Sequence, residues 1–213
     1  MDKAQVWHVI HAERAALADI LETLTPEEWE HPSLCEGWSV RDVAAHVISA
    51  PEAKVAQMAA ALLRARGSFN RAAHDEAQHL ASRPTWQIVD DYRRLAESRR
   101  LAPGTNHKHA LLDTLVHTQD IVIPLGRHHE MPVEAARASA EAFRDNLFPF
   151  NARKRLAGCR LEATDTEWAA GEGALVRGPI AALLLLITGR AASLTQLSGE
   201  ALPQLRQRLE VRS

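Results

Sequence analysis

The sequence predicts a mainly α-helical protein: a helical bundle over residues 1–150, followed by a small α+β region over residues 151–213. Three observations carry this expectation. Apolar residues at Val6, Val9, Ile10, Ala16, Leu17, Ile20, Leu21 and Leu24 recur at the spacing of one helix face. Proline, glycine and capping residues then divide the first two thirds into further segments of helical length. After Phe150 the period changes, and Cys159, Leu161 and Ala163 alternate with polar residues as in a half-buried strand.

Taken in order, the first helix ends near Leu24, and Thr25 before Pro26 reads as the cap of a short element, TPEEWEH. Ser39 and Asp42 have the spacing of a capping box, with Asp in place of the usual Glu. That helix is predicted to run through Val43 and Val47, past a kink at Pro51, to about Arg66, where Gly67 stops it. The next residues, Phe69 and Asn70 among them, read as a polar connection. Pro84-Thr85 opens a helix with apolar positions Trp86, Val89, Tyr92 and Leu95 or Ala96, broken by Pro103-Gly104. A fourth long helix is predicted from about Lys108 to Ile123, and a fifth, PVEAARASAEAFRDNLF, from Pro132. In the last region, EWAAGEGALVRGP offers two short extended pieces around a turn. An apolar helix then starts at Pro179, and a final one lies near ALPQLRQRLE. There is no internal repeat.

The totals narrow the function. The chain has 213 residues, long enough to bury a core without staples, and a formal net charge of -2. That balance gives no electrostatic basis for binding nucleic acid or an anionic membrane. The two cysteines, Cys35 and Cys159, are far apart and make no disulfide framework. The first residues are too charged for a signal peptide, and the apolar run Pro179 to Thr188 is too short to span a bilayer. A soluble cytoplasmic protein is expected.

Histidine is the unusual component: eleven, against one tyrosine. In HALLDTLVHTQDI, His109, Asp113 and His117 lie at i, i+4 and i+8, on one helix face. The outer two are separated by about 12 Å along the axis, too far for a single ion with bonds of about 2 Å. A site would therefore use one adjacent pair and a residue from another helix. Asp113 and His117 form the deeper pair, while His109 near the first turn is expected to face solvent. DVAAH repeats the spacing with Asp42 and His46. Asp42 already has a capping role, whereas His46 interrupts an apolar face without a local reason. The candidate metal ligands are thus His46, Asp113 and His117, two imidazoles and a carboxylate that leave one position open, as in catalytic zinc sites. Spacing alone leaves this reading open beside incidental core and surface histidines.

The neighbours are assigned plainer roles. No base is placed near Cys35 by the sequence, so it is expected to pack beside Trp38, with Gly37 serving the turn. Asp120, three residues after His117, either orients that ring or belongs to the helix surface. His8, His11, His107, His128 and His129 are read as solvated. Arg177 and Arg190 either meet an anionic substrate or make structural hydrogen bonds. GEGALVRG lacks the Lys-Ser/Thr of a phosphate loop.

Three segments, SLCEGWSVRDVAAHVI, LLDTLVHTQDIVIPLGR and EATDTEWAAGEGALVRGPIAALLLLITGR, resemble the mycothiol-dependent maleylpyruvate isomerase family, within the DinB/YfiT-like superfamily. The similarity covers nearly the whole chain, and a shorter actinobacterial branch is the nearest in pattern. The resemblance implies a DinB-like bundle of four long helices with a C-terminal α+β region. It also implies a divalent metal, zinc or in some relatives nickel, held by His46, Asp113 and His117. The carboxylate is one methylene shorter here than the glutamate of the isomerase itself. The cosubstrate implied is mycothiol, bound as thiolate for S-transfer to a small electrophile or for its isomerisation. A homodimer is compatible with the superfamily, the apolar helix after Pro179 being one candidate interface. Two alternatives stay open: a non-catalytic metal-binding or interaction protein, and an enzyme of a biosynthetic pathway that does not use mycothiol.

Overall fold

The computed structural model describes residues 1–145 and 151–210. The helices begin where side chains satisfy free amides. Asp2 accepts from the Gln5 amide and Gln5 answers on Asp2, which starts α1 (Lys3–Glu22). Thr25 and Glu28 close the same kind of box on α2 (Pro26–Trp29), as do Ser39 and Asp42 on α3 (Val40–Ser49). After α4 (Val55–Arg64) and α5 (Phe69–Ala81) come α6 (Thr85–Leu95) and α7 (His107–Val122), the last capped by Asn106.

Two expectations fail in this region, each for a physical reason. The helix expected from Ser39 to Arg66 is two helices. Pro51 has no amide to donate and its ring opposes the carbonyl four residues back, so the chain tightens into a 3-10 turn at Ala50–Glu52. Ala53 is then extended, and α4 starts afresh at Val55. The expected polar connection after Gly67 is helix α5, whose Ser68 cap accepts from the Arg71 amide. It buries Ala72, Ala77 and Ala81, residues too small to mark a face in the hydropathy pattern. On α6 the buried positions are Ile88, Tyr92 and Leu95, so Trp86 lies on the outer side, 66% exposed.

The chain divides into two compact units, Asp2–His129 and the part from Glu130 onward. In the first, α1 and α3 each pack against α6 and α7, giving a four-helix bundle with α5 laid on α3 and α4 on α5. Leu17, Leu21, Val43, Val47, Ile88 and Ile121 fill its centre. Buried polar groups inside it are tied to backbone. The Tyr92 hydroxyl donates to the Ala44 carbonyl at 3.0 Å, and the Arg14 guanidinium donates to Ser98 O at 2.9 Å beyond the end of α6.

The second unit holds α8 (Val133–Phe143), α9 (Ala152–Arg155), β1 (Cys159–Ala163), β2 (Ala169–Ala170), β3 (Ala174–Gly178), α10 (Ile180–Ile187) and α11 (Leu202–Glu210), with a 3-10 segment, Ala191–Gln196, before α11. The strand order is β2-β1-β3. Leu161 pairs with Ala170 in the antiparallel direction and with Val176 in the parallel one. The alternation expected of β1 is present, with Cys159, Leu161 and Ala163 buried. Gly173 has φ +119°, and a side chain there would meet the Gly158 carbonyl, so only glycine lets β3 enter beside β1.

α8, which falls within the region expected for the bundle, packs on α10, and the two compact units divide at Glu130. The expected boundary at residue 150, and the end of the fifth helix at Phe148, lie outside the described residues. α10 buries Ile180 and Ala182 to Ile187 inside its own unit, against α8, the sheet and the 3-10 segment. The apolar side chains of this candidate interface helix are thus mostly spent on its own unit. Among the described residues, no helix is long and apolar enough to cross a membrane.

Candidate metal centre

The Asn106 cap sets the phase of α7, and the helical repeat then puts Asp113 and His117 on the side that meets α3. His46 comes from α3, held in the bundle by Val43, Ala44, Ala45, Val47 and Ile48, all buried. The two histidine rings meet edge to face, with centroids 5.4 Å apart and planes at 85°. One donor atom each from His46, Asp113 and His117 lies within 4.8 Å of the other two. His117 Nε2 is 3.3 Å from Asp113 Oδ1. A tetrahedral ion with bonds of about 2.0–2.1 Å needs donor atoms about 3.3–3.4 Å apart. The Asp113–His117 edge is already at that length. Its Asp113 side is 34% exposed, so the cluster is reachable from outside.

The other nitrogen of His117 is occupied. Its Nδ1–H donates to Asp120 Oδ2 at 2.8 Å, and the Asp120 side chain is fully buried. A carboxylate at that distance accepts, which keeps a proton on Nδ1 and turns Nε2 toward Asp113 and His46, its lone pair free there when the ring is neutral. This is the arrangement by which a carboxylate orients a ligating imidazole. Asp120 is thus buried against the His117 ring and does not lie on the helix surface. The buried hydroxyls of Thr114 and Thr118 donate to carbonyls of their own helix and do not compete.

Charge inside the cluster is opposed by burial and shaped by neighbours. For His46 burial dominates and lowers the pKa, aided by His117 and opposed by Asp113, so the ring is held neutral. For His117 burial also pulls down. The Asp113 charge and hydrogen bonds to Asp113, Asp120 and Cys35 outweigh it, and the pKa rises well above the usual histidine range. Burial pushes the Asp113 carboxyl up, yet the charges of His117, His46 and Arg14 and the hydrogen bond to His117 leave it lowered. The Asp113 charge and the hydrogen bonds to Asp113 and Asp120 thus favour the charged form of His117 when no metal competes for it.

The remaining candidates separate cleanly. His109 is exposed and belongs to the α7 cap, and Asp42 accepts from the Ser39 amide at 2.8 Å, as expected. Cys35 departs from expectation: its thiol lies 3.2 Å from Asp120 Oδ2 and 3.7 Å from His117 Nδ1. No spacing rule links residues this far apart in the chain. His8 and His128 are exposed, but His129 is not a surface residue. Its Nε2 meets the buried Glu13 carboxylate at 2.8 Å, and the Gln119 amide donates to its carbonyl. Nor is His11 simply solvated: its Nε2 is buried, and its ring centroid lies 5.8 Å from that of Trp7. Arg190 donates to Thr188 O, and exposed Arg177 pairs with Glu162. A groove of about 470 Å³ between α4 and α5 is lined by Arg64, Glu76 and His79 and by none of the three candidate ligands.

Comparisons with known proteins agree with this architecture. Residues 10–105 match the family described as the mycothiol maleylpyruvate isomerase N-terminal domain, which bears out the family read from the sequence. Two solved structures are similar over 94% of this chain and 94% of theirs, each with a TM-score of 0.65. They are the mycothiol-dependent maleylpyruvate isomerase, at 14% identity, and a histidine-to-alanine mutant of the mycothiol-dependent maleylpyruvate isomerase, at 13%. At that identity the likeness bears on the fold, a mainly α protein with a C-terminal α+β part. Among curated proteins there is no match.

Proposed function

We propose, from the match of residues 10–105 to the mycothiol maleylpyruvate isomerase N-terminal domain family, that this protein is a metal-dependent enzyme that uses a small thiol, mycothiol, as cosubstrate. The ligands would be His46, Asp113 and His117. The observation that carries the reading is their convergence from two helices, with donor atoms within 4.8 Å of one another. Two imidazoles and a carboxylate suit zinc, with nickel as an alternative, and leave a position free.

A divalent ion bound there would supply the charge that keeps a thiol deprotonated at neutral pH. The residues set up that outcome. One carboxylate and two neutral imidazoles leave the loaded site with a net charge of +1, which favours an incoming thiolate over a neutral ligand. Burial keeps His46 neutral and ready to donate its lone pair. Asp120 holds the His117 proton on Nδ1, away from the ion. Thiol and electrophile would approach from the exposed edge of Asp113. With an electrophile beside the sulfur, addition gives an S-conjugate. Addition to a cis alkene followed by elimination returns the thiol and the trans isomer.

A second reading follows from His117. Its raised pKa and two carboxylate partners also describe a structural ion pair in a non-catalytic member of the fold. Metal analysis and thermal melts decide between them. The enzyme reading expects one equivalent of metal and, at 100-fold excess over Kd, a stabilisation of about 2.7 kcal/mol. Protein that takes up no metal, and melts at the same temperature with and without zinc or nickel, overturns it. Turnover with mycothiol and a panel of electrophiles, maleylpyruvate included, then tests the cosubstrate.

A further inference from the structure

The loop Ser33–Ser39, which leads into α3, touches both candidate histidines. Its fold is fixed independently of them. Ser33 Oγ donates to Trp38 O at 2.8 Å and accepts from the Cys35 amide at 3.1 Å. The Trp38 amide donates to Cys35 O, and the Ser33 amide to Trp38 O. The loop is then pinned to α7 by one long-range bond, from the Leu34 amide to the backbone carbonyl of Asp120 at 3.1 Å. That bond brings residue 35 beside the Asp120 side chain. The Cys35 thiol donates to Asp120 Oδ2 at 3.2 Å, the oxygen that also accepts from His117 Nδ1. Three residues on, the Trp38 ring stands against His46 at 89°, with centroids 5.3 Å apart.

We infer that Cys35 and Asp120 are positioning residues for His117. The thiol proton anchors the carboxylate, and the carboxylate fixes the ring with Nδ1–H on Asp120 and Nε2 toward Asp113 and His46, so that the neutral ring has its lone pair there. This inference deepens the proposed metal site and rests on it for its functional consequence. The arrangement itself belongs to the metal-free protein. Asp120 is fully buried, so its orientation is set by the donors it meets. The Cys35 donor pulls Oδ2 away from free rotation, and the Leu34 bond keeps backbone and side chain of Asp120 facing the same loop. Cys35 therefore needs a hydrogen to donate; its size alone is not what the site uses. A serine would keep that donor and an alanine would not.

The test combines histidine ¹⁵N–¹H correlation spectra of the metal-free protein with titration by Co²⁺ and Zn²⁺. Spectra are taken at a pH where His117 is neutral in each variant. In the wild type His117 is expected as the Nδ1–H tautomer. Asp120→Asn, which can turn its NH₂ toward Nδ1, should shift His117 toward the Nε2–H form and weaken metal binding about 10- to 100-fold. Cys35→Ala should weaken it about threefold, the low end of the net worth of a hydrogen bond. Cys35→Ser should bind metal within about twofold of wild type, on the same scale. A purely packing role for Cys35 predicts the reverse order, with alanine tolerated and serine penalised, and that order overturns the inference. So does an unchanged His117 tautomer in Asp120→Asn. If wild-type protein binds no metal, the proposed function fails, and the tautomer spectra still decide the positioning roles. Circular dichroism checks that each variant is folded. Should Asp120→Asn fail to fold, the Cys35 pair decides alone.

Discussion

Two histidines in the helical unit meet buried carboxylates, and only one of them sits in a possible reaction centre. His129 Nε2 meets Glu13 at 2.8 Å; His117 meets Asp120 at 2.8 Å on Nδ1 and Asp113 at 3.3 Å on Nε2. Both pKa values are raised, His129 chiefly through its hydrogen bond to Glu13. A perturbed histidine is therefore no mark of function in this molecule. What separates them is valence. The ring nitrogen of His129 in the described contact ends on one carboxylate, whereas His117 has an orienting acceptor on one nitrogen and two further donors, Asp113 and His46, around the other. The first arrangement makes an ion pair, and the second can exchange its proton for a metal.

The largest effect that would break this comparison is loss of a ligand. His46→Ala and His117→Ala should each lower metal affinity by more than about 100-fold, since a three-donor site with one donor removed loses its chelating geometry. The bundle should stay folded by circular dichroism. Removing His46 leaves space in a wall of buried alanine and valine, and Asp113 keeps its contact with His117. Equal metal uptake by wild type and His46→Ala would show that the α3 histidine is a core residue after all.

Proton competition gives the next effect. Metal must displace the proton that His117 carries on Nε2 when charged, and its pKa lies well above the usual 6.5. Apparent affinity should therefore keep rising with pH beyond 6.5, where an ordinary histidine site has levelled off. In the metal-free protein the sign is opposite. A raised folded pKa contributes stability that is complete below pH 6.5 and is lost as pH rises through the raised value. Zinc should thus stabilise more at pH 8 than at pH 6, measured as the difference in Tm with and without metal. A flat or reversed difference would count against His117 as a ligand.

How far these features were legible differs with their range. Caps are local, so Ser39 with Asp42 and Thr25 with Pro26 could be read directly and stand as expected. The two segments that carry the candidate ligands are legible for the same reason, since DVAAH and DTLVH each place their residues by helical period. α5 was hidden because its buried residues are alanines, which give almost no hydrophobic contrast. At the break after Ser49 the sequence predicts only a kink, because a proline signals interruption without saying whether the helix resumes. Cys35 at Asp120 could not be read at all. It depends on the Leu34–Asp120 backbone bond between a loop and a helix some 85 residues on, and sequence spacing carries no information about such closure. His129 at Glu13 was missed likewise, its partner lying 116 residues away.

The smallest effect sharpens the comparison from the other side. Glu13→Gln should leave metal affinity unchanged, because neither Glu13 nor His129 contributes a donor to the cluster. It should still destabilise the fold by about 1–2 kcal/mol, the scale of a charge-assisted hydrogen bond exchanged for a neutral one. Because the His129 pKa is raised in the folded state, this cost should be full below pH 6.5 and shrink as pH rises through the raised value. In a chain of this size that is a difference in Tm of about 2–8 °C at pH 6, narrowing at pH 9. A cost that stays constant with pH would mean that Glu13 acts by packing alone. A fall in metal affinity would mean that the two histidine sites are coupled through Gln119, which lies between Thr118 and Asp120 on α7 and donates to the His129 carbonyl.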